Sequence, residues 1–270
     1  MKLRLLQLDA FADRPFAGNP AAVCVLPRWL DDATLRAIAR ENNLSETAFL
    51  VRREQDDDFA IRWFTPAIEV DLCGHATLAS AAAVLDVLEP ARDAVTFHSP
   101  SGPLAVVRAA PGFRMDFPRR APAPFELTSK LADAIAEALG AWPRLVLRSR
   151  DTLLCVLASA EEVRALSPDF AKVRALPIEA VIATARADEP ELDFVSRFFA
   201  PAEGIDEDPV TGSAHCSLAP YWGGRLRKTR MRARQCSARG GSLICELAGD
   251  RVLLEGRVIP YLDGTIEVPG

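Results

Sequence analysis

Arg197-Phe-Phe-Ala-Pro-Ala202, followed by Asp206-Glu-Asp-Pro-Val-Thr-Gly-Ser-Ala-His215, decides the fold because the chain has used the same phrase before. Its earlier form is Arg62-Trp-Phe-Thr-Pro-Ala67, followed by Asp71-Leu-Cys-Gly-His-Ala-Thr77. The offset from 62 to 197 is 135 residues, half of the 270-residue chain. After three extra residues the match resumes, Gly74-His-Ala76 against Gly212-Ser-Ala214, and later Ser101-Gly-Pro-Leu-Ala105 aligns with Gly240-Gly-Ser-Leu-Ile244. A period this long means duplication of a whole domain; solenoid repeats are far shorter.

Gly74 and Gly212 each follow a strand-like apolar run and precede an Ala-rich helical one, Ala76 to Leu88 and Ala214 to Trp222. A helix start carries unpaired backbone N–H groups and a partial positive charge, and glycine lets a ligand approach the backbone closely. Two related halves about a pseudo-twofold axis are expected to aim both starts into one cleft suited to a carboxylate or enolate. His75 would flank it from one side, Ser213 and Asp208 from the other.

Composition fits this picture. The length suits two domains of about 135 residues, predicted as 1–118 and 119–270, with a last strand at 264–270 crossing back to the first half. Apolar residues make up 49% of the chain, as in a globular protein with a sizeable core. A net charge of −5 argues against a nucleic-acid partner. One basic stretch, Arg225 to Arg239, runs the other way; its alternating Arg230, Arg232 and Arg234 read as a solvated strand face, or as steering for an anionic substrate. The six cysteines show no metal spacing and read as reduced, mostly buried thiols in a cytoplasmic protein. No apolar run approaches a membrane span.

Along the chain, many short strands surround one apolar helix in each half, which is an α+β design. Arg119-Arg-Ala-Pro-Ala-Pro124 reads as the linker between halves. Strands are predicted at 3–11, 21–26, 44–51 and 59–64 in the first half, and at 153–158, 180–185 and 192–199 in the second. A final strand is predicted at Thr265–Val268.

Glu46 is the most informative carboxylate. It lies on an apolar strand, where an acid is costly unless it is partnered or used for acid/base work. Asp208 precedes Pro209, so its backbone is predicted to be extended, while Asp206 and Glu207 could simply complement a helix dipole. His75 stands at a helix start, whose positive end is expected to lower its pKa and favour a neutral imidazole. With three histidines and no H-x-H or H-E-x-x-H, no metal site is predicted. A Ser213 hydrolase lacks G-x-S-x-G. A two-thiol racemase would need a partner for Cys73, but the matching position holds Thr211. No G-x-G-x-x-G indicates a nucleotide cofactor.

Four motifs carry a resemblance: Asp9-Ala-Phe-Ala-Asp-Arg-Pro-Phe-Ala-Gly-Asn-Pro-Ala-Ala-Val23, Asn43-Leu-Ser-Glu-Thr-Ala-Phe49, Cys73-Gly-His-Ala-Thr77 and Glu207-Asp-Pro-Val-Thr-Gly-Ser-Ala-His215. In this order they resemble the phenazine-biosynthesis isomerase (PhzF-like) family. That resemblance implies a diaminopimelate-epimerase-like fold: two pseudo-symmetric halves, each a strand barrel around a central helix. It also implies a homodimer working without metal or organic cofactor. By the same resemblance Glu46 carries the proton, with His75, Asp208 and Ser213 around the substrate, Asn19 among the binding residues, and the starts at Gly74 and Gly212 holding its carboxylate.

The expected function is a cofactor-independent isomerase shifting a proton on a small carboxylate-bearing substrate. The alternative is a non-catalytic protein that kept the cleft to bind a small ligand or a partner.

Overall fold

In a computed structural model that describes residues 1–110 and 112–269, the chain divides into two units. One is Met1–Asp116 together with Glu255–Gly270, and the other is Phe117–Leu254. The expected 118/119 boundary therefore lies at 116/117, and the returning segment begins at Glu255 rather than at 264.

The first unit opens with β1 (Lys2–Ala10) and β2 (Asn19–Leu26), an antiparallel pair with Leu8 opposite Ala21. Helix α1 (Asp32–Asn42) follows, capped by the Asp31 carboxylate on the Thr34 N–H and closed by Asn43 in the left-handed conformation. It returns the chain so that β3 (Glu46–Arg52) runs parallel to β2, with Ala21 opposite Glu46. Then come β4 (Phe59–Phe64), antiparallel to β3, and the short β5 (Glu69–Val70). Helix α2 (Gly74–Ala82) is next, with strands β6 (Ala94–Ser99), β7 (Gly102–Ala109) and β8 (Gly112–Pro118) completing the series.

Helix α2 is buried on every side from His75 to Ala82. Its four alanines keep it thin enough to be enclosed, and its buried hydroxyls bond back along the helix, Thr77 to the Cys73 carbonyl and Ser80 to the Ala76 carbonyl. Beyond Ala82 the helix widens into a π-helical turn, Ala83–Leu88, within the run predicted as ordinary helix. The large aromatics Phe49, Phe59, Trp63, Phe64 and Phe97 fill the core of this unit.

The second unit begins with α3 (Ser129–Leu139), then the antiparallel pair β9 (Leu145–Ser149) and β10 (Thr152–Val156). Two short helices, α4 (Ala160–Ala165) and α5 (Phe170–Arg174), lead to β11 (Ala180–Arg186), parallel to β10. Next are β12 (Phe194–Ala200), antiparallel to β11, β13 (Ile205–Asp208) and helix α6 (Gly212–Leu226). Strands β14 (Arg230–Gln235), β15 (Gly241–Ala248) and β16 (Arg251–Gly256) follow.

The pairing pattern of the first unit recurs here. In each, a hairpin leads by a helical crossover to a parallel strand; an antiparallel strand, a short strand and the buried helix follow. The next strand then pairs parallel to the one two before it, β6 to β4 and β14 to β12. The fold is thus α+β, built of two pseudo-symmetric halves, each a set of strands around a central apolar helix.

Three features depart from the predicted elements. Helix α6 carries Pro220, which cannot donate to the Cys216 carbonyl one turn earlier; the backbone N–H of Arg120 donates to that carbonyl instead, at 3.0 Å. The predicted linker is therefore tied down, and Ala123 also forms a bridge with Arg148. The last strand, β17 (Val258–Glu267), is much longer than Thr265–Val268 and pairs antiparallel with β1. Its ladder shifts register between Gln7 and Leu8, where Leu8 faces Pro260 and Gln7 faces Leu262; proline is tolerated at such a bulge.

Candidate active site

Because β2 and β3 run parallel, their first residues, Asn19 and Glu46, lie at the same end of the first unit, where α2 also starts. Glu46 is 8% exposed, His75 5% and Asn19 fully buried. The His75 Nε2 is 3.0 Å from Glu46 Oε2. The contact is a close ion pair, and no other group among the described residues serves that oxygen. On the other side of the ring, Asn19 Nδ2 lies 3.1 Å from Nδ1, and Ser45 Oγ donates to Asn19 Oδ1 at 3.3 Å. Cys73 Sγ sits 3.5 Å from Nδ1 and 4.0 Å from Nε2.

The electrostatics reverse one expectation. Burial alone would pull the His75 pKa down, but the neighbouring Cys73 sulfur and Glu46 carboxylate outweigh it, and the imidazole is held well above its ordinary value. A carboxylate at 3.0 Å counts for more than the helix end on which the expected neutral ring rested. The Cys73 thiol is pushed up to about 11, first by burial and then by Glu46.

In the second unit Asp208 closes β13 and is buried. The Thr211 hydroxyl donates to its Oδ2. Gln235, fully buried at the end of β14, holds the same corner: its Nε2 donates to the Asp208 carbonyl at 2.7 Å, and its Oε1 accepts from the Thr211 N–H at 2.9 Å. Of the other two acids in the motif, Glu207 is paired with Arg197 through both oxygens, at 2.6 and 2.8 Å, and Asp206 is exposed beside Arg174. The first unit repeats that ion pair as Arg62 with Glu69. Ser213, the second residue of α6, is exposed, and Gly212 is buried.

Helix starts separate the two candidate elements from the rest. At α1, α3, α4 and α5 the N-cap side chain accepts from a helix N–H. At α2 and α6 it does not: Cys73 turns toward His75, and Thr211 gives its hydroxyl to Asp208.

Some residues have purely structural roles. His215 donates from Nδ1 to the Thr211 carbonyl at 2.7 Å and stacks on Phe194. In β14 the alternating arginines are exposed while Met231, Ala233 and Gln235 point inward, which is the solvated strand face expected. Sequence reasoning missed Gln235 and Ser45. A glutamine in the inward phase of an otherwise basic strand was the available signal for the first, and Ser45 lies inside the motif that holds Glu46.

Cys73 also completes a set the spacing did not predict. Glu46, Cys73 and His75, all buried, bring one potential ligand atom each within 4.8 Å of the others, but the sulfur lies nearer Nδ1 (3.5 Å) than Nε2 (4.0 Å), so the ring does not aim Nε2, the sulfur and the carboxylate at one point.

This architecture is that of an epimerase-like fold. A hydroxyproline epimerase from Agrobacterium vitis, solved with bound trans-4-hydroxy-L-proline, matches with a TM-score of 0.59 at 12% identity, covering 98% of this chain and 92% of that one; this is likeness of fold alone. More specifically, the family model described as phenazine biosynthesis-like protein matches residues 8–264. An uncharacterized isomerase of Pseudomonas aeruginosa is 50% identical over 268 residues, covering 99% of this chain and all of the relative. The crystal structure of a PhzF-family phenazine biosynthesis protein from Enterococcus faecalis superposes with a TM-score of 0.93 at 43% identity, covering 99% and 100% of the two chains. The chain belongs to the phenazine biosynthesis-like (PhzC–PhzF) family.

Proposed function

We propose that this chain is an isomerase that moves a proton between carbons of a small carboxylate-bearing substrate, with Glu46 as the acid/base and no organic cofactor. The observation that carries the reading is the buried Glu46 carboxylate, whose Oε2 has only the His75 ring, at 3.0 Å, beside it. A carboxylate on a buried strand is costly unless it is partnered or used, and one poised against a single imidazole is free to take a substrate proton. Support comes also from the relative named an isomerase.

In this reading Glu46 takes the proton from a carbon adjacent to a conjugated system. The electron pair left behind spreads toward the substrate carboxylate as an enolate. The uncapped N–H groups at the start of α2, at Gly74, hold that charge, which is electrostatic stabilisation by fixed dipoles. Asn19 orients His75, whose positive ring balances the Glu46 carboxylate. The protonated Glu46 then returns the proton to a second carbon. No electron leaves the substrate, so no oxidant or reductant is required. Asp208 is proposed to hold a polar substituent or to take part in proton return.

The test is incubation of the chain in D₂O with a panel of small unsaturated and amino-substituted carboxylates, read by mass shift. Entry of solvent deuterium at a carbon position is expected for at least one member. Saturable binding without exchange would replace the proposal by a ligand-binding role.

A further inference from the structure

The hydrogens around Asp208 have one permitted direction, and a backbone group sets it. The Thr211 N–H can only donate, so the Gln235 atom that meets it at 2.9 Å is the carbonyl oxygen Oε1. The other end of the amide is then the NH₂ group. It donates to the Asp208 carbonyl at 2.7 Å, which can only accept, and to Thr211 Oγ1 at 3.1 Å. Two main-chain partners therefore fix one of the two orientations of the Gln235 amide. A threonine hydroxyl has a single hydrogen. With Gln235 donating to the oxygen, that hydrogen goes to Asp208 Oδ2. Donation runs one way, from Gln235 to Thr211 to Asp208. All three residues are buried, so the relay is screened from bulk water. Thr211 is also the N-cap of α6, where a threonine oxygen ordinarily accepts from a helix N–H, and it makes no such bond. A stabilising cap is given up, and the hydroxyl serves Asp208 instead.

We propose that Thr211, oriented by Gln235, is a positioning residue that holds Asp208 as a charged hydrogen-bond acceptor for an N–H or O–H group of the substrate. This role rests on the isomerase reading and deepens it: of the two tasks left to Asp208, it assigns the holding of a polar substituent and withdraws proton return. A directed hydrogen bond to a carboxylate favours its charged form. The Thr211 hydrogen also occupies the place at Oδ2 where a transferable proton would sit. Glu46 then both takes and returns the proton, and Asp208 ties down the end of the substrate that carries the donor. An analogue lacking the donor would desolvate that carboxylate with nothing in return, and a site built this way rejects it.

Neutron diffraction from a crystal of the full chain, exchanged into D₂O near neutral pD, tests the geometry without any substrate. The Thr211 deuteron should lie on Oγ1 and point at Asp208 Oδ2, and neither Asp208 oxygen should carry a deuteron. A deuteron on Asp208, or a Thr211 deuteron turned toward another acceptor, overturns the proposal. Kinetics test the role with whichever carboxylate of the panel is converted. Thr211→Val removes the hydroxyl but keeps the backbone N–H that Gln235 accepts from. Its KM should rise about tenfold, with a much smaller fall in kcat. Thr211→Ser should restore KM, which it would not do if only the methyl packing mattered; Thr211→Ala replaces the valine variant if that one does not fold. Asp208→Asn should likewise act chiefly on KM. A fall in its kcat of about 10²–10⁴-fold at saturation would make Asp208 a proton carrier and overturn the proposal, as would no recovery in Thr211→Ser. Deuterons placed as stated, with no carboxylate of the panel exchanged or converted, would sink the isomerase reading and leave the fixed acceptor. Conversion with a deuteron found on Asp208 would sink this role alone.

Discussion

At the scale of single residues, the two buried histidines behave oppositely because their neighbours differ. His75 faces a carboxylate and is held well above the ordinary histidine value, whereas His215 faces only a carbonyl and aromatic rings. Burial pushes His215 down to about 4, opposed only in part by its bond to Thr211. The folded chain therefore binds fewer protons than the unfolded chain between about pH 4 and the ordinary value of about 6.5. Stability from this group is complete above about pH 6.5 and is lost as the pH falls toward 4. At about 1.4 kcal/mol per pH unit the loss approaches 3 kcal/mol. Between pH 6.5 and 4.5, below the range in which His75 adds the opposite trend, urea midpoints should fall more steeply in the wild-type chain than in His215→Gln. An unchanged slope in the variant would place the titration elsewhere. The candidate site was partly legible at this scale: Glu46 and His75 stood out because an acid on an apolar strand and a histidine at a helix start each need a reason. The sign of the His75 shift was not legible, because it depends on a partner brought close only by the fold. Gln235 was hidden among arginines.

At the scale of elements, the connection between β1 and β2 sets the position of Asn19. Gly18 precedes it with φ +70, and a Cβ there would lie 2.3 Å from the Ala10 carbonyl oxygen. Only glycine fits both the left-handed backbone and the space. Gly18→Ala should cost at least about 1–2 kcal/mol in stability and lower the exchange rate by misplacing Asn19. Wild-type melting and exchange in the variant would show that the loop does not position the site. Near α6 a comparable argument applies to Gln235. Gln235→Leu removes one partner of the Asp208 carbonyl and the side-chain acceptor of the buried Thr211 N–H, and a buried N–H that loses its acceptor costs about 1–3 kcal/mol. The thermal midpoint should drop markedly; a shift of a degree or less would mean water replaces the amide. Helix α6 runs through Pro220, as the predicted Ala214–Trp222 run did, because the carbonyl the proline leaves unserved is taken by Arg120, which is far away in sequence. It extends four residues further, to Leu226, where Arg227 in the left-handed conformation closes it.

At the scale of the whole molecule, the duplication was the most legible feature, because a repeated motif with glycine before a small-residue helix needs no tertiary information to be seen. The structure extends it to the order of strand pairings and to the ion pairs Arg62–Glu69 and Arg197–Glu207. The returning strand was poorly legible for a physical reason. Most of β17 is exposed or half-buried, so it lacks the alternation that marks a buried strand, and Pro260 argues against one. Its ladder nevertheless spans β1 from Lys2 to Ala10. A chain ending at Arg257 should lose hydrogen-exchange protection at the β1 amides that pair with β17, while β9–β12 of the second unit stay protected. Uniform loss would mean that the units fold only together, and no loss would mean that β17 is dispensable.

The central claim is that Glu46 carries the proton, and one substitution addresses it. Glu46→Gln keeps the size of the side chain but cannot accept a proton. With the substrate identified in D₂O, deuterium incorporation by Glu46→Gln should fall by about 10²–10⁴-fold. Calorimetry should still show the substrate bound, because the backbone N–H groups proposed to hold its carboxylate are untouched by the substitution. Deuterium incorporation near the wild-type rate, at full substrate saturation, would contradict the account and move the proton to another group.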